Sequence, residues 1–248
     1  EIELIIDDMI EFTEQKDLKD YLVKWLSNKI KIELDSLFKL KSIKESNSLV
    51  RALSYQLYEN YGVVKREKVV SLVKKLTQED RKSLRDIGVK FGRYHIFLFK
   101  LFKPKQVSLR VLLWKNFKQI NLSLKPPTFG LNFTDNSKFE NKDFMLLCGF
   151  EKFDRFFVRI DILERLFIHI IKNNLENNQE VKLVPEMLNL LGCNKENFIK
   201  LIKNMNYKLF EKNNETYFKY NPRKINYRQK NKFNSDNPFN VLNQINFD

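Results

Sequence analysis

The chain has 248 residues, enough for one large domain or two small ones, and 43% of them are hydrophobic, which excludes wholesale disorder. Lysine and arginine number 45 against 31 aspartates and glutamates, a net charge of +14, so a polyanion is the expected partner, either nucleic acid or an anionic membrane surface. No apolar run approaches the ~18 residues of a membrane span, and two distant cysteines, Cys148 and Cys193, with only two histidines exclude a structural zinc site.

Residues 1–87 read as helical. The opening EIELIIDDMIEF is acidic, lacks an initiator Met and reads as cut from a longer chain. Leu18, Tyr21, Leu22, Trp25 and Leu26 recur at helical spacing, and Leu34, Leu37, Phe38 and Leu40 continue the pattern. Ser48 begins a third helix that stops at Tyr61-Gly62, and another runs through Val69–Val73. Thr77 with Asp80 is a capping-box start for a short helix ending at Gly88.

GVKFGRYHIFLFKLFKP, residues 88–104, changes character. Two glycines precede a dense aromatic run closed by Pro104, which predicts a turn leading into an extended segment or short hairpin. A helix through Leu109, Leu112, Leu113, Trp114 and Phe117 follows. Residues 121–142, with Pro126-Pro127, Gly130 and TDNSKFENKD, carry no periodicity and read as a linker.

Residues 143–220 give the order helix, strand, helix, helix, strand, strand. The first helix starts at Asp161 with Glu164 as its capping-box partner; others begin after Pro185 and at Asn194, and the strands Tyr207–Phe210 and Thr216–Tyr220 flank a turn. That order predicts a winged helix, a helix-turn-helix relative whose final hairpin is the wing. Residues 221–248 read as a disordered basic tail with one apolar cluster, DNPFNVLNQINF. The expected class is thus mainly α with small β elements (α+β): a helical domain over 1–120, a linker, a winged-helix domain over 143–220 and the tail.

No phosphate-binding GxxxxGK[ST], no GxGxxG, HExxH or GxSxG is present, so no catalytic residue is expected. His95 and His169 read as structural or surface histidines, and Cys148 and Cys193 as small buried hydrophobes. Two surfaces suit nucleic acid. On one, Lys200 and Lys203 point away from the core stripe of their helix, Lys208, Lys212 and Lys219 lie on or beside the wing, and Arg223 and Lys224 follow; such groups hold phosphates without reading sequence. On the other, Lys90, Arg93, Lys103 and Lys105 interleave with Tyr94 and several phenylalanines, a pattern for holding a backbone while rings stack on bases. The bland alternatives are a solvated lysine-rich face and a buried strand face with snorkelling bases. Abundant Lys, Asn, Ile and Phe with six Gly and six Pro also fit an A+T-rich genome, which discounts the lysines and makes each Arg more informative.

Several segments resemble one family. GVKFGRYHIFLFKLFKPKQVSLRVLLW is similar to a stretch in the C-terminal half of alphaproteobacterial superfamily-II (Suv3-like) RNA helicases, and SNSLVRALSYQLYENYGVVKRE, CGFEKFDRFFVRIDILERL, VPEMLNLLGCNKENFIKLIKNMNYKL and DNPFNVLNQI resemble it in the same order. Lys90 stands where the family commonly has Arg, and Phe99 where it commonly has Pro. The RecA-like motor domains are not in this sequence. The resemblance implies a cytoplasmic, RNA-binding accessory region that holds a strand while a motor elsewhere uses ATP and Mg, with no cofactor held by this chain. Its expected partners are RNA or another single-stranded nucleic acid, the helicase motor domains, and an RNase or ribosomal partner through the tail; no membrane is expected. The competing expectations are a stand-alone winged-helix regulator and a protein-docking scaffold.

Overall fold

The structure, a computed structural model, describes residues 2–5, 12–43, 47–119, 124–135, 141–154, 156–176 and 180–221. Apart from Asn221, the expected tail, including Arg223 and Lys224, lies outside them. Helices predominate, and the described residues hold three small antiparallel sheets of three strands each, so the fold is α+β. Among the described residues no helix is long and apolar enough to cross a membrane.

The N-terminal half is built from α1 (Phe12–Glu33), α2 (Asp35–Lys41), α3 (Ser48–Glu59), β1 (Val63–Lys65), α4 (Val70–Lys75), α5 (Gln78–Ile87), β2 (Val89–Phe91), β3 (His95–Leu98) and α6 (Pro104–Lys118). Local chemistry sets the ends. The Thr77 hydroxyl accepts from the Asp80 amide while the Asp80 carboxylate accepts from the Thr77 amide, the predicted capping box of α5. Gly88 ends that helix at φ 106°, a left-handed conformation that costs glycine nothing. Pro104 opens α6, where its missing N–H is no loss. The sheet runs β1-β3-β2, so the aromatic segment is the predicted hairpin, with Phe91 opposite Ile96. Leu53, Leu57, Leu84, Ile96, Leu98 and Leu101 form the fully buried centre of this half. Helix α1 differs: it forms as its periodicity predicts, yet none of its residues is buried, and Tyr21, Trp25 and Ile32 are more than half exposed.

A second sheet, β4-β6-β5, combines β4 (Phe133–Asp135) with β5 (Phe150–Phe153) and β6 (Phe156–Arg159), and α7 (Lys142–Leu147) precedes it. Part of the expected linker is therefore a strand, pairing Phe133 with Val158. Residues on both sides of that linker also share cores. Val107, Val111 and Trp114 of α6 pack with Phe144, Met145, Phe150 and Phe157, and Val63 and Phe97 pack with Ile160.

Arg110 joins the same elements through hydrogen bonds. Its guanidinium is buried and donates to the carbonyls of Tyr61 (2.8 Å), Leu101 (2.7 Å) and Leu147 (2.7 Å). Burial pushes its pKa down to about 10. No carboxylate pairs with it among the described residues.

The C-terminal part continues with α8 (Ile160–Glu176), β7 (Glu180–Lys182), α9 (Pro185–Leu191), α10 (Lys195–Asn204), β8 (Tyr207–Lys212) and β9 (Glu215–Tyr220), with β9 central between β7 and β8. Asn194 caps α10 by accepting from the Asn197 amide. Asn213 and Asn214, at φ 50° and 60°, make the two-residue hairpin turn whose left-handed residues match strand twist. Phe167, Phe198, Leu201, Ile202, Tyr207 and Phe218 fill the core between helices and sheet.

Candidate nucleic-acid interface

The turn between β2 and β3 is one of the places where the two halves meet. The carboxylate of Glu164, on α8, accepts backbone N–H bonds from Arg93, from Tyr94 (2.9 Å) and from His95 (2.8 Å). Three converging amides make a ready anion site, and here a side chain fills it. Glu164 is therefore not the capping-box partner that its spacing from Asp161 predicts; the Asp161 carboxylate accepts from Ile162 N–H and pairs with Arg159 instead. Gly92 is needed at this turn because a Cβ there would lie 2.4 Å from Glu164 Cδ.

His95 is buried, with Nδ1 3.2 Å from Glu164 and Nε2 3.2 Å from Glu151, and Lys65 reaches Glu151 at 2.7 Å. With His95 protonated, the two cations and two carboxylates sum to zero charge. Burial alone lowers the His95 pKa, but the hydrogen bonds and charges of Glu151 and Glu164 outweigh it and hold it above 6.5. Burial opposes ionisation of Glu151 too, yet His95 and Lys65 bring its pKa below 4.5. The stability that His95 contributes is thus fully present below pH 6.5 and is lost as pH rises through its folded-state pKa; that of Glu151 is present above pH 4.5 and lost on acidification. The midpoint of urea unfolding is expected to fall as pH rises above 6.5, and His95→Gln should flatten that fall. An equally steep slope in the variant would remove His95 as its source. His169 is exposed on α8, and burial pushes the Cys148 and Cys193 thiols up to about 12 and 11, as small hydrophobes rather than nucleophiles.

Beside the clasp, one residue of the predicted surfaces, Arg93, meets the end of the last strand. The exposed Arg93 guanidinium lies 5.3 Å from the ring centroid of Tyr220 at the end of β9. Tyr94 packs against Phe167 at 4.3 Å, and burial, with Tyr207 beside it, raises its pKa above the usual phenol value. Lys90 is exposed beside a cleft of about 400 Å³ lined by Phe91, Phe97, Phe99, Arg165 and Ile168. Lys103 and Lys105 are exposed at the start of α6, and Lys103 borders a cavity of about 160 Å³ against Pro127 and Phe129. Of the alternating aromatics, Phe97 is buried and Phe99 and Phe102 are half-buried, so much of that run is packing.

On α10, Lys200 and Lys203 are exposed opposite the buried stripe Phe198, Leu201 and Ile202. On the sheet, Lys208 and Lys219 face each other across β8 and β9, on the side opposite Phe218. These four lysines form no ion pair with another described residue, whereas Lys212 pairs with Glu180. The sequence reading missed Glu164, Glu151 and Tyr220, whose roles arise from partners far along the chain. No family model, curated protein or solved structure matches this chain.

Proposed function

We propose that this chain is the RNA-binding, C-terminal accessory region of an ATP-dependent superfamily-II RNA helicase, with its α8–β9 unit a winged helix that retains a strand while a motor elsewhere in the parent enzyme hydrolyses ATP. The observation that carries the reading is a set of exposed lysines, Lys200, Lys203, Lys208 and Lys219, that form no ion pair among the described residues, on a unit with winged-helix element order. The collinear resemblance to the helicase family supports the parent activity. The exposed Tyr21, Trp25 and Ile32 of α1 suit a helix that packs on a further domain. The chain's own contribution is electrostatic: each lysine that meets a phosphate releases a condensed counterion, so affinity falls steeply with salt.

Fluorescence anisotropy tests this with a labelled single-stranded RNA and a duplex DNA. The expected result is salt-steep RNA binding. In Lys200→Ala/Lys203→Ala/Lys208→Ala/Lys219→Ala the log–log salt slope is expected to shrink by about 0.7 per lost contact. Absence of RNA binding at low salt would overturn the proposal and favour protein docking. Tight, sequence-specific duplex binding would favour a stand-alone regulator.

A further inference from the structure

Strand register divides the last sheet into two faces. Val181, Leu209, Phe218 and Tyr207 turn inward onto the helices. The outward face then carries Phe210 and Tyr217, directly opposite each other, with Lys182, Lys208, Lys212 and Lys219 around them and Glu180 and Glu215 as the acids. The two rings are nearly parallel, 15° between planes and 6.0 Å between centroids. Lys212 Nζ sits 5.4 Å from the Phe210 ring, and the Tyr217 hydroxyl donates to Glu215 at 3.1 Å. Neither ring belongs to the buried core of this unit.

Resting on the RNA-binding reading above, we infer that this outward face of β7-β9-β8 is a stacking platform for single-stranded RNA, with bases on Phe210 and Tyr217 and phosphates on the surrounding lysines. Charge and shape both favour this occupant. Among the described residues Lys208 and Lys219 form no ion pair, although Glu180 stands opposite Lys219, and four lysines against two glutamates give the face net positive charge beside apolar ring surface. The other two are held by Lys182–Glu215 and Lys212–Glu180 pairs whose lysine side chains are about half exposed. Exposed pairs of this kind contribute little, so a phosphate can replace a glutamate at small cost. A duplex hides its base faces and gives the rings nothing to stack on; a single strand exposes them, and each stacked base strengthens binding without regard to sequence. The surface thus grips by base faces rather than by entry of α10 into a groove.

The test uses the whole chain and an RNA single strand carrying one 2-aminopurine, whose fluorescence is quenched on stacking, with the matching RNA duplex as comparison. Phe210→Leu/Tyr217→Leu is expected to weaken single-strand binding at least about tenfold and to abolish the quench. Phe210→Tyr/Tyr217→Phe should retain both. Lys208→Ala/Lys219→Ala should weaken binding but leave the quench in the bound state. A brace for the hairpin would lower the unfolding midpoint of the leucine variant without touching the quench, which overturns the platform. Wild-type binding and quench unchanged in the leucine variant, or tighter binding of duplex, would overturn the platform and leave the electrostatic grip standing. Failure of the wild type to bind any RNA would overturn both.

Discussion

Arg110→Ala is expected to lower the free energy of unfolding by about 3–5 kcal/mol, because two buried carbonyls and a half-buried one lose their donor at once and a cavity opens where the side chain lay. The size of the loss follows from where the acceptors sit. Tyr61 follows α3, Leu101 lies in the turn after β3, and Leu147 ends α7, so one side chain satisfies chain ends from three elements. Arg110→Met keeps most of the volume and isolates the hydrogen bonds; it should cost about 2–4 kcal/mol. Urea unfolding reads both as a lower midpoint with an unchanged slope. Two variants within ~1 kcal/mol of the wild type would show that the guanidinium repays no more than its own desolvation.

Glu164→Ala should cost about 3–5 kcal/mol, since it strands three amides and leaves buried His95 short of one acid. Gly92→Ala attacks the same clasp from the other side, by driving a Cβ into the Glu164 carboxylate and to 2.7 Å from the His95 carbonyl oxygen. Removing the carboxylate relieves the first of these clashes. The double variant is therefore expected to lose clearly less than the sum of the single losses. Additivity within about 0.5 kcal/mol, measured by denaturant unfolding of all four proteins, would mean that the two residues act on separate parts of the structure.

Local features were the readable ones. The Thr77–Asp80 box, the glycine-bounded hairpin, Pro104 and Pro185 at helix starts and the order of elements from α8 to β9 all follow from residues a few positions apart. Glu164 was misread for the same reason: its spacing from Asp161 matches a capping box, and nothing nearby in the sequence announces amides on a distant turn. Strand β4 was hidden because three residues inside a polar stretch carry no period, and only the β6 partner makes them a strand. The stripe on α1 forms a helix, yet its contacts with α2 and α6 bury none of its residues among those described. At the candidate interface the lysines were legible, but their pairing was not; Lys212 is spent on Glu180 while Lys208 and Lys219 are not. The outward Phe210 and Tyr217 could have been found from strict alternation with Leu209 and Phe218.

The Glu164 clasp also orders events during synthesis. Its three amides precede the carboxylate by 71, 70 and 69 residues. At ribosomal speeds of about 5–20 residues per second, the β2–β3 hairpin waits roughly 4–14 s for its acceptor to be made. Through that interval the turn is left to water, while every buried residue of the core around Leu53 and Ile96 has already been made. Closing so long a loop carries a higher entropic cost than the local hairpin does, and the contact of Arg93 with Tyr220 needs a residue made later still.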